Sequence, residues 1–289
     1  MKHLARAICS PLLIAAFLLL AANLTSAEPP QTQTFDSKGT KISYTVEGSG
    51  EPVVLIHGLY SSADINWRLP GTIKSLAESY QVIAFDLRGH GHSGKPQNEA
   101  DYGLEMMEDV ARLMDHLKIE NAHIVGYSLG GMIAVKFAVA HSERVKSVVL
   151  GGMGWLKEGS PLQAFWGLIP EKERRRNGET PAACLRTFGK MAVTEEQLKA
   201  IRAPVTMLVG DRDPCRKLYV EPAAAARPDW PVVVIEGAGH LNCIFKPQFQ
   251  SELKKTLARQ AKTMNCKTAR DCPLRFAVLQ QLLIIRNSP

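Results

Sequence analysis

From Lys41 to Ala261 short apolar runs rich in β-branched residues alternate with longer stretches of helical period, and that alternation narrows the folds open to the chain more than any other feature. Parallel strands buried on both faces read as unbroken apolar runs, and each pair needs a crossover of a dozen residues or more, usually a helix. The pattern predicts an α/β fold, a mainly parallel doubly wound sheet with helices on both faces. Strands are expected over 42–46, 53–56, 82–85, 122–125, 145–150, 205–209 and 232–235. Helices are expected over 104–117, 132–140, around 218–226 and near 248–261. In the first of these Leu104, Met107, Val110, Met114 and Leu117 recur at spacings of three and four and fall on one face, so its methionines read as core filling.

Between about 152 and 202 the alternation breaks. Trp155, Phe165, Trp166, Leu168 and Ile169 lie among charged residues there, the composition of a short helical cap inserted into the core. The expected organisation is a leader over 1–27, a first core segment over 28–152, the cap over 153–202, a second core segment over 203–261 and a basic, apolar tail over 262–289 with no place in the scheme. Apolar residues make up 45% of the 289, enough for one sizeable core without the leader. No period of roughly 20 to 50 residues repeats, which argues against a solenoid or propeller.

The leader carries Lys2 and Arg6, an apolar run over 8–22 interrupted by Pro11, then Thr25, Ser26 and Ala27. That is the layout of a secretory signal peptide cleaved after Ala27, and it predicts an exported protein, periplasmic or secreted. The run is shorter than the ~20 residues of a membrane-spanning helix, so no stable span is expected after cleavage, although an uncleaved anchor fits the same residues. The formal net charge of +7 sits largely at the ends, in Lys2 and Arg6 and in Lys262, Lys267, Arg270, Arg275 and Arg286 against Asp271. Arg174, Arg175 and Arg176 lie between Glu171, Glu173 and Glu179 and read as a solvated helix face, so nucleic acid is not an expected partner. After the leader the cysteines are Cys184, Cys215, Cys243, Cys266 and Cys272, an odd number in a compartment where disulfides persist.

The chemistry begins at Gly126-Tyr127-Ser128-Leu129-Gly130, where a strand runs directly into a helix. A sharp turn there lifts the Ser128 hydroxyl to the top of the sheet, and Gly126 and Gly130 give room for the tight approach. A serine hydroxyl is a weak nucleophile until a neighbouring base takes its proton. His240, in Gly237-Ala238-Gly239-His240 after the last strand, fits that role, and a carboxylate is needed to fix its tautomer. Gly210-Asp211-Arg212-Asp213-Pro214 offers two such acids, and the order serine, aspartate, histidine results with either. Charge developing on a substrate carbonyl oxygen needs donors, and the backbone N–H groups of Leu129 and of Leu59, in the loop His57-Gly58-Leu59, are placed to supply them. His57 itself reads as a brace of that loop.

Together with Asp86-Leu87-Arg88-Gly89-His90-Gly91-His92-Ser93, which reads as a scaffold loop, these motifs resemble the α/β-hydrolase superfamily in its capped, esterase-like branch, from about Lys41 to Ala261. In that family the acid usually stands three residues after the glycine that ends its strand, a spacing that implies Asp213 and leaves Asp211 to hold the loop. Relatives that open epoxides or remove halide carry Asp at the elbow, whereas this chain has Ser128. The resemblance implies a hydrolase that cleaves a carboxylic ester through an acyl-enzyme, with Ser128, Asp213 and His240 catalytic and no metal or organic cofactor. The aromatic cap points to a small-molecule substrate with an apolar acyl or alcohol group. Serine-dependent cleavage of a C–C bond, a lyase or perhydrolase reaction, or a non-catalytic small-molecule binding protein would use the same scaffold. If the acid and base loops meet, Cys215 and Cys243 come near disulfide range; two small buried thiols is the competing reading, and Cys266 with Cys272 is a rival local pair.

Overall fold

Every sequence-predicted strand is present in the computed structural model, which describes residues 31–168 and 180–268. In chain order the strands are β1 (Gln33–Ser37), β2 (Thr40–Glu47), β3 (Glu51–Ile56), β4 (Tyr80–Phe85), β5 (Ala122–Tyr127), β6 (Val145–Gly151), β7 (Val205–Gly210) and β8 (Val232–Ile235). They form one eight-stranded sheet in the order β1-β2-β4-β3-β5-β6-β7-β8. β2 runs antiparallel to both β1 and β4, and every other neighbouring pair is parallel. The described residues from Thr32 to Thr268 belong to one compact unit.

The helices Leu104–His116 and Leu129–Ala140 cover one face of the sheet. The first is amphipathic and buries Met106, Met107, Val110, Leu113 and Met114, whereas the second is apolar almost all round and packs against β5 and β6. Thr72–Ala77 and Pro247–Thr268 cover the other face, where Ile73, Leu76, Phe249, Leu253 and Leu257 join Trp67 in a second apolar cluster. Full burial of one such side chain contributes about 1.5–3 kcal/mol, so each layer holds its face of the sheet through several residues.

Three departures from the sequence expectation have local causes. β1 contains only Thr34 and Phe35 as strand formers, and exists because Lys38 and Gly39 both take positive φ (56° and 79°) and turn the chain back on β2. The helix expected around 218–226 starts as a π-helical turn, Arg216–Val220, and continues as Glu221–Ala226. The last helix does not stop near Ala261 but runs to Thr268, since nothing between those residues breaks a helix.

Between β6 and β7 lie the short helices Pro161–Gly167, Ala182–Arg186 and Glu195–Ala200. Trp155 ties the two ends of this stretch to each other by donating its indole N–H to the Val193 carbonyl at 2.9 Å. The leader, with its cleavage position after Ala27 and Cys9, the Arg174–Arg176 run and Cys272 lie outside the described residues. No helix among the described residues is long and apolar enough to cross a membrane.

Candidate active site

At the end of β5 the chain turns sharply, and Ser128 takes φ 52° and ψ −115°, a conformation costly to any residue but glycine. The turn closes only because nothing projects from its glycines. A Cβ on Gly126 would stand 2.1 Å from the Gly130 carbonyl oxygen, and one on Gly130 would stand 2.1 Å from that of Ile56. Ser128 then heads the helix Leu129–Ala140 with its hydroxyl free to meet the loops at the C-terminal ends of β7 and β8.

Those loops bring Asp213 and His240 to it. His240 Nε2 lies 2.8 Å from Ser128 Oγ, and His240 Nδ1 lies 2.9 Å from Asp213 Oδ2. Since the buried carboxylate accepts from Nδ1–H, Nε2 keeps its lone pair toward the serine hydroxyl. Asp213 is 3% exposed, and its second oxygen accepts the Cys215 N–H at 2.8 Å, so the carboxylate is held from both sides. Gly152 (φ 58°) flanks the pair. A Cβ there would stand 3.2 Å from both Asp213 Oδ2 and His240 Nδ1.

Asp211 points elsewhere. Its carboxylate accepts the Ala238 N–H at 2.9 Å, and this bond holds its pKa below the usual carboxylate range. The Arg212 N–H in turn reaches the Ala238 carbonyl at 2.9 Å, so Asp211 and its neighbour tie the β7 loop to the loop that carries His240.

The oxyanion candidates stand on either side of Ser128. Leu129 is the first residue of its helix, where the backbone N–H has no intrahelical acceptor. Leu59 follows Gly58, whose hypothetical Cβ would stand 3.3 Å from Ser128 Cβ, so this loop runs directly beside the nucleophile. Two buried side chains set its path. Asn66 accepts the Gly58 N–H at 2.7 Å. His57 Nε2 accepts the Leu87 N–H at 2.9 Å, which leaves the proton on Nδ1 to donate to the Gly58 carbonyl at 2.7 Å. Burial pushes His57 down to about 4, consistent with a neutral brace between the β3 and β4 loops.

The Asp86–Ser93 segment is anchored as thoroughly. Asp86 accepts the N–H groups of Ala63 and His92 at 2.8 Å each, and Ser93 Oγ donates to the Asp86 carbonyl at 2.6 Å. Arg88 and Asp109 form a fully buried two-pronged ion pair, at 2.7 Å from Nε and 2.6 Å from Nη2, which fixes the segment to the helix Leu104–His116.

Cys184, Cys215 and Cys243 are free thiols. The disulfide reading for Cys215 and Cys243 is therefore corrected: the loops meet through the Asp213–His240 and Asp211–Ala238 hydrogen bonds without a covalent link. Burial first and the Asp213 charge second push both thiols up to about 12, so without a bound cation they stay protonated and slow to oxidise. Of the rival pair, Cys272 lies outside the described residues, as does the side chain of Cys266.

Two site features had no sequence expectation behind them. Asn66 sits in the π-helical turn Asp64–Arg68, for which the sequence carries no local signal. Tyr127 donates its phenolic O–H to the His240 carbonyl at 2.5 Å, and its place beside Ser128 in the elbow motif was the available clue. The approach of Cys215 to the acid and base, by contrast, was expected from the meeting of their loops.

Residues 51–197 match the family model described as alpha/beta hydrolase fold. The chain is 39% identical over 146 residues to 2-hydroxymuconate semialdehyde hydrolase of Pseudomonas sp. (strain CF600), covering 48% of this chain and 50% of that protein. It is 41% identical over 119 residues to the dihydrolipoyllysine-residue acetyltransferase component of the acetoin cleaving system of Cupriavidus necator, covering 41% of this chain and 31% of the relative. These matches span half or less of the relatives' own length. Among solved structures, a thermophilic esterase from Thermogutta terrifontis superposes with a TM-score of 0.66 at 23% identity, over 80% of this chain and 99% of that one.

Proposed function

The chain belongs to the α/β-hydrolase fold family, and from that premise we propose that it is an exported serine esterase, acting on carboxylic esters with an apolar acyl or alcohol group. The observation that carries the reading is the unbroken hydrogen-bonded path from Ser128 Oγ through His240 to Asp213, at 2.8 and 2.9 Å. Such a path moves a proton from the hydroxyl to Nε2 as Ser128 attacks a carbonyl carbon, while Asp213 stabilises the imidazolium that forms. The Leu59 and Leu129 N–H groups receive the charge on the carbonyl oxygen. His240 then returns the proton to the leaving alcohol, and water repeats the sequence on the acyl-enzyme.

Apolar substrates are supported by exposed hydrophobic residues next to the site in sequence. Tyr60 follows Leu59, Leu218 lies five residues after Asp213, and Leu241, 86% exposed, follows His240. A cleft of about 630 Å³, lined by Tyr60, Ile65, His92 and Thr180 among others, opens beside the Leu59 loop and has room for the remote part of a small substrate.

The likeness to a protein named for hydrolysing a semialdehyde favours one second reading, in which the same residues cleave a C–C bond. Turnover of p-nitrophenyl esters of increasing acyl length, beside labelling by a fluorophosphonate probe, separates the two. Labelling with ester turnover is the expected result. Labelling without turnover of any ester would replace the ester reading with the second one.

A further inference from the structure

One more ligand-bearing side chain reaches the acid–base pair. Cys215 Sγ, a carboxylate oxygen of Asp213 and a ring nitrogen of His240 all lie within 4.8 Å of one another. Asp213 is buried, while Cys215 and His240 are half-buried and so within reach of solute. The geometry is held from the backbone, since the Cys215 N–H bonds Asp213 Oδ1 and leaves Oδ2 facing His240 Nδ1. Gly152 places no side chain against that bond.

Sulfur, nitrogen and carboxylate oxygen form a donor set that suits zinc, which binds them at ~2.0–2.3 Å and holds its ligand atoms roughly 3.5 Å apart. To meet that geometry the Asp213 Oδ2–His240 Nδ1 pair opens from 2.9 Å, and Cys215 Sγ draws in by up to about an ångström. A thiolate and a carboxylate also balance a charge of 2+, so the occupied site is neutral in its half-buried place. Hard cations such as Mg²⁺ prefer all-oxygen sets and are not matched by this one.

We propose that Asp213, Cys215 and His240 form an inhibitory site for Zn²⁺ and ions of similar softness, a role that rests on the esterase reading above for its effect on turnover. Binding forms bonds from the ion to Asp213, to the Cys215 thiolate and to His240 Nδ1. The thiol proton leaves to solvent, and the single N–H of the neutral imidazole moves from Nδ1 to Nε2. Nε2–H then faces Ser128 Oγ with no lone pair to receive its proton, and the nucleophile is not activated. Water occupies the fourth position on the ion.

The test has two parts. Ester turnover is titrated with Zn²⁺ in the wild type and in Cys215→Ala and Cys215→Ser, each against its own zinc-free rate. The half-inhibiting concentration is expected to rise at least ~10-fold in both variants, the scale for loss of a metal-site group, and equal sensitivity would overturn the site. Co²⁺ is then added to the Ser128→Ala protein, which has no turnover to lose. A thiolate-to-cobalt charge-transfer band that disappears on adding Cys215→Ala supports the site, even if the wild type hydrolyses no ester and the esterase reading fails. Absence of that band in Ser128→Ala overturns the proposal whatever the activity.

Discussion

Tyr127 donates its phenolic hydrogen to the backbone carbonyl of His240 at 2.5 Å, so the residue that precedes the nucleophile also holds the loop that carries the base. Its ring lies 5.7 Å from the imidazole and 5.9 Å from Phe249, on the last helix. One side chain thereby links the elbow, the base loop and the packing of the C-terminal helix.

Removing only that hydroxyl, in Tyr127→Phe, keeps the packing and leaves the His240 carbonyl without its donor. An unmet buried polar group costs about 1–3 kcal/mol, and a base displaced by even an ångström can cost on the order of 10²-fold in rate. The expected result is a folded protein with kcat/KM reduced about 10-fold or more. Unchanged kinetics would mean that other contacts position the base.

The two acids after β7 have separable roles. Asp213→Asn presents the wrong histidine tautomer and is expected to lower kcat by on the order of 10⁴-fold with little change in fold. Asp211→Asn weakens the bond to Ala238 and is expected to act mainly on stability, with kcat reduced less than about 10-fold. Paired kinetics and denaturant unfolding check this, and the reverse ranking would reassign the acid.

The two buried loop histidines make stability depend on pH. Burial holds His57 at about 4, and burial followed by repulsion from His57 holds His90 at about 3, with Asp86 and Lys95 also acting on His90. In the unfolded chain both take up a proton below roughly 6.5, while the folded protein does not until about 4 or lower. The unfolded state thus binds more protons across that window, and stability falls as pH is lowered through it, by about 2 kcal/mol apiece by pH 5. His90→Gln should remove about 2 kcal/mol of the fall in unfolding free energy between pH 7 and 5, the share of one such histidine beside His57 and the buried His123, which burial also lowers. An identical slope in wild type and variant would show that these histidines do not carry it.

Much of this arrangement was legible in the sequence because it depends on local signals. Buried parallel strands must be apolar runs, so every strand with such a run was found, and the Gly126–Gly131 turn marks itself by the space that its glycines leave. Ser128, Asp213 and His240 could be paired because each follows a strand of one sheet, whose C-terminal ends share an edge. β1 was hidden because its pairing comes from the Lys38-Gly39 turn and not from its own composition. Asn66 and the Tyr127 hydroxyl were hidden for a related reason: each acts on backbone that is distant in sequence or shaped by an irregular helical turn. The free state of Cys215 and Cys243 was open to both readings until the burial of their thiols and the hydrogen bonds between their loops were seen.

Every catalytic role above depends on Ser128 as the nucleophile. Labelling by a fluorophosphonate probe and turnover of a p-nitrophenyl ester, compared in the wild type and Ser128→Ala, measure this in one experiment. The expected result is one probe bound per wild-type chain, no labelling of the variant, and kcat lowered by at least ~10³-fold in a protein with unchanged circular dichroism, the oxyanion donors alone giving only residual catalysis. Undiminished labelling of a correctly folded Ser128→Ala protein would contradict it.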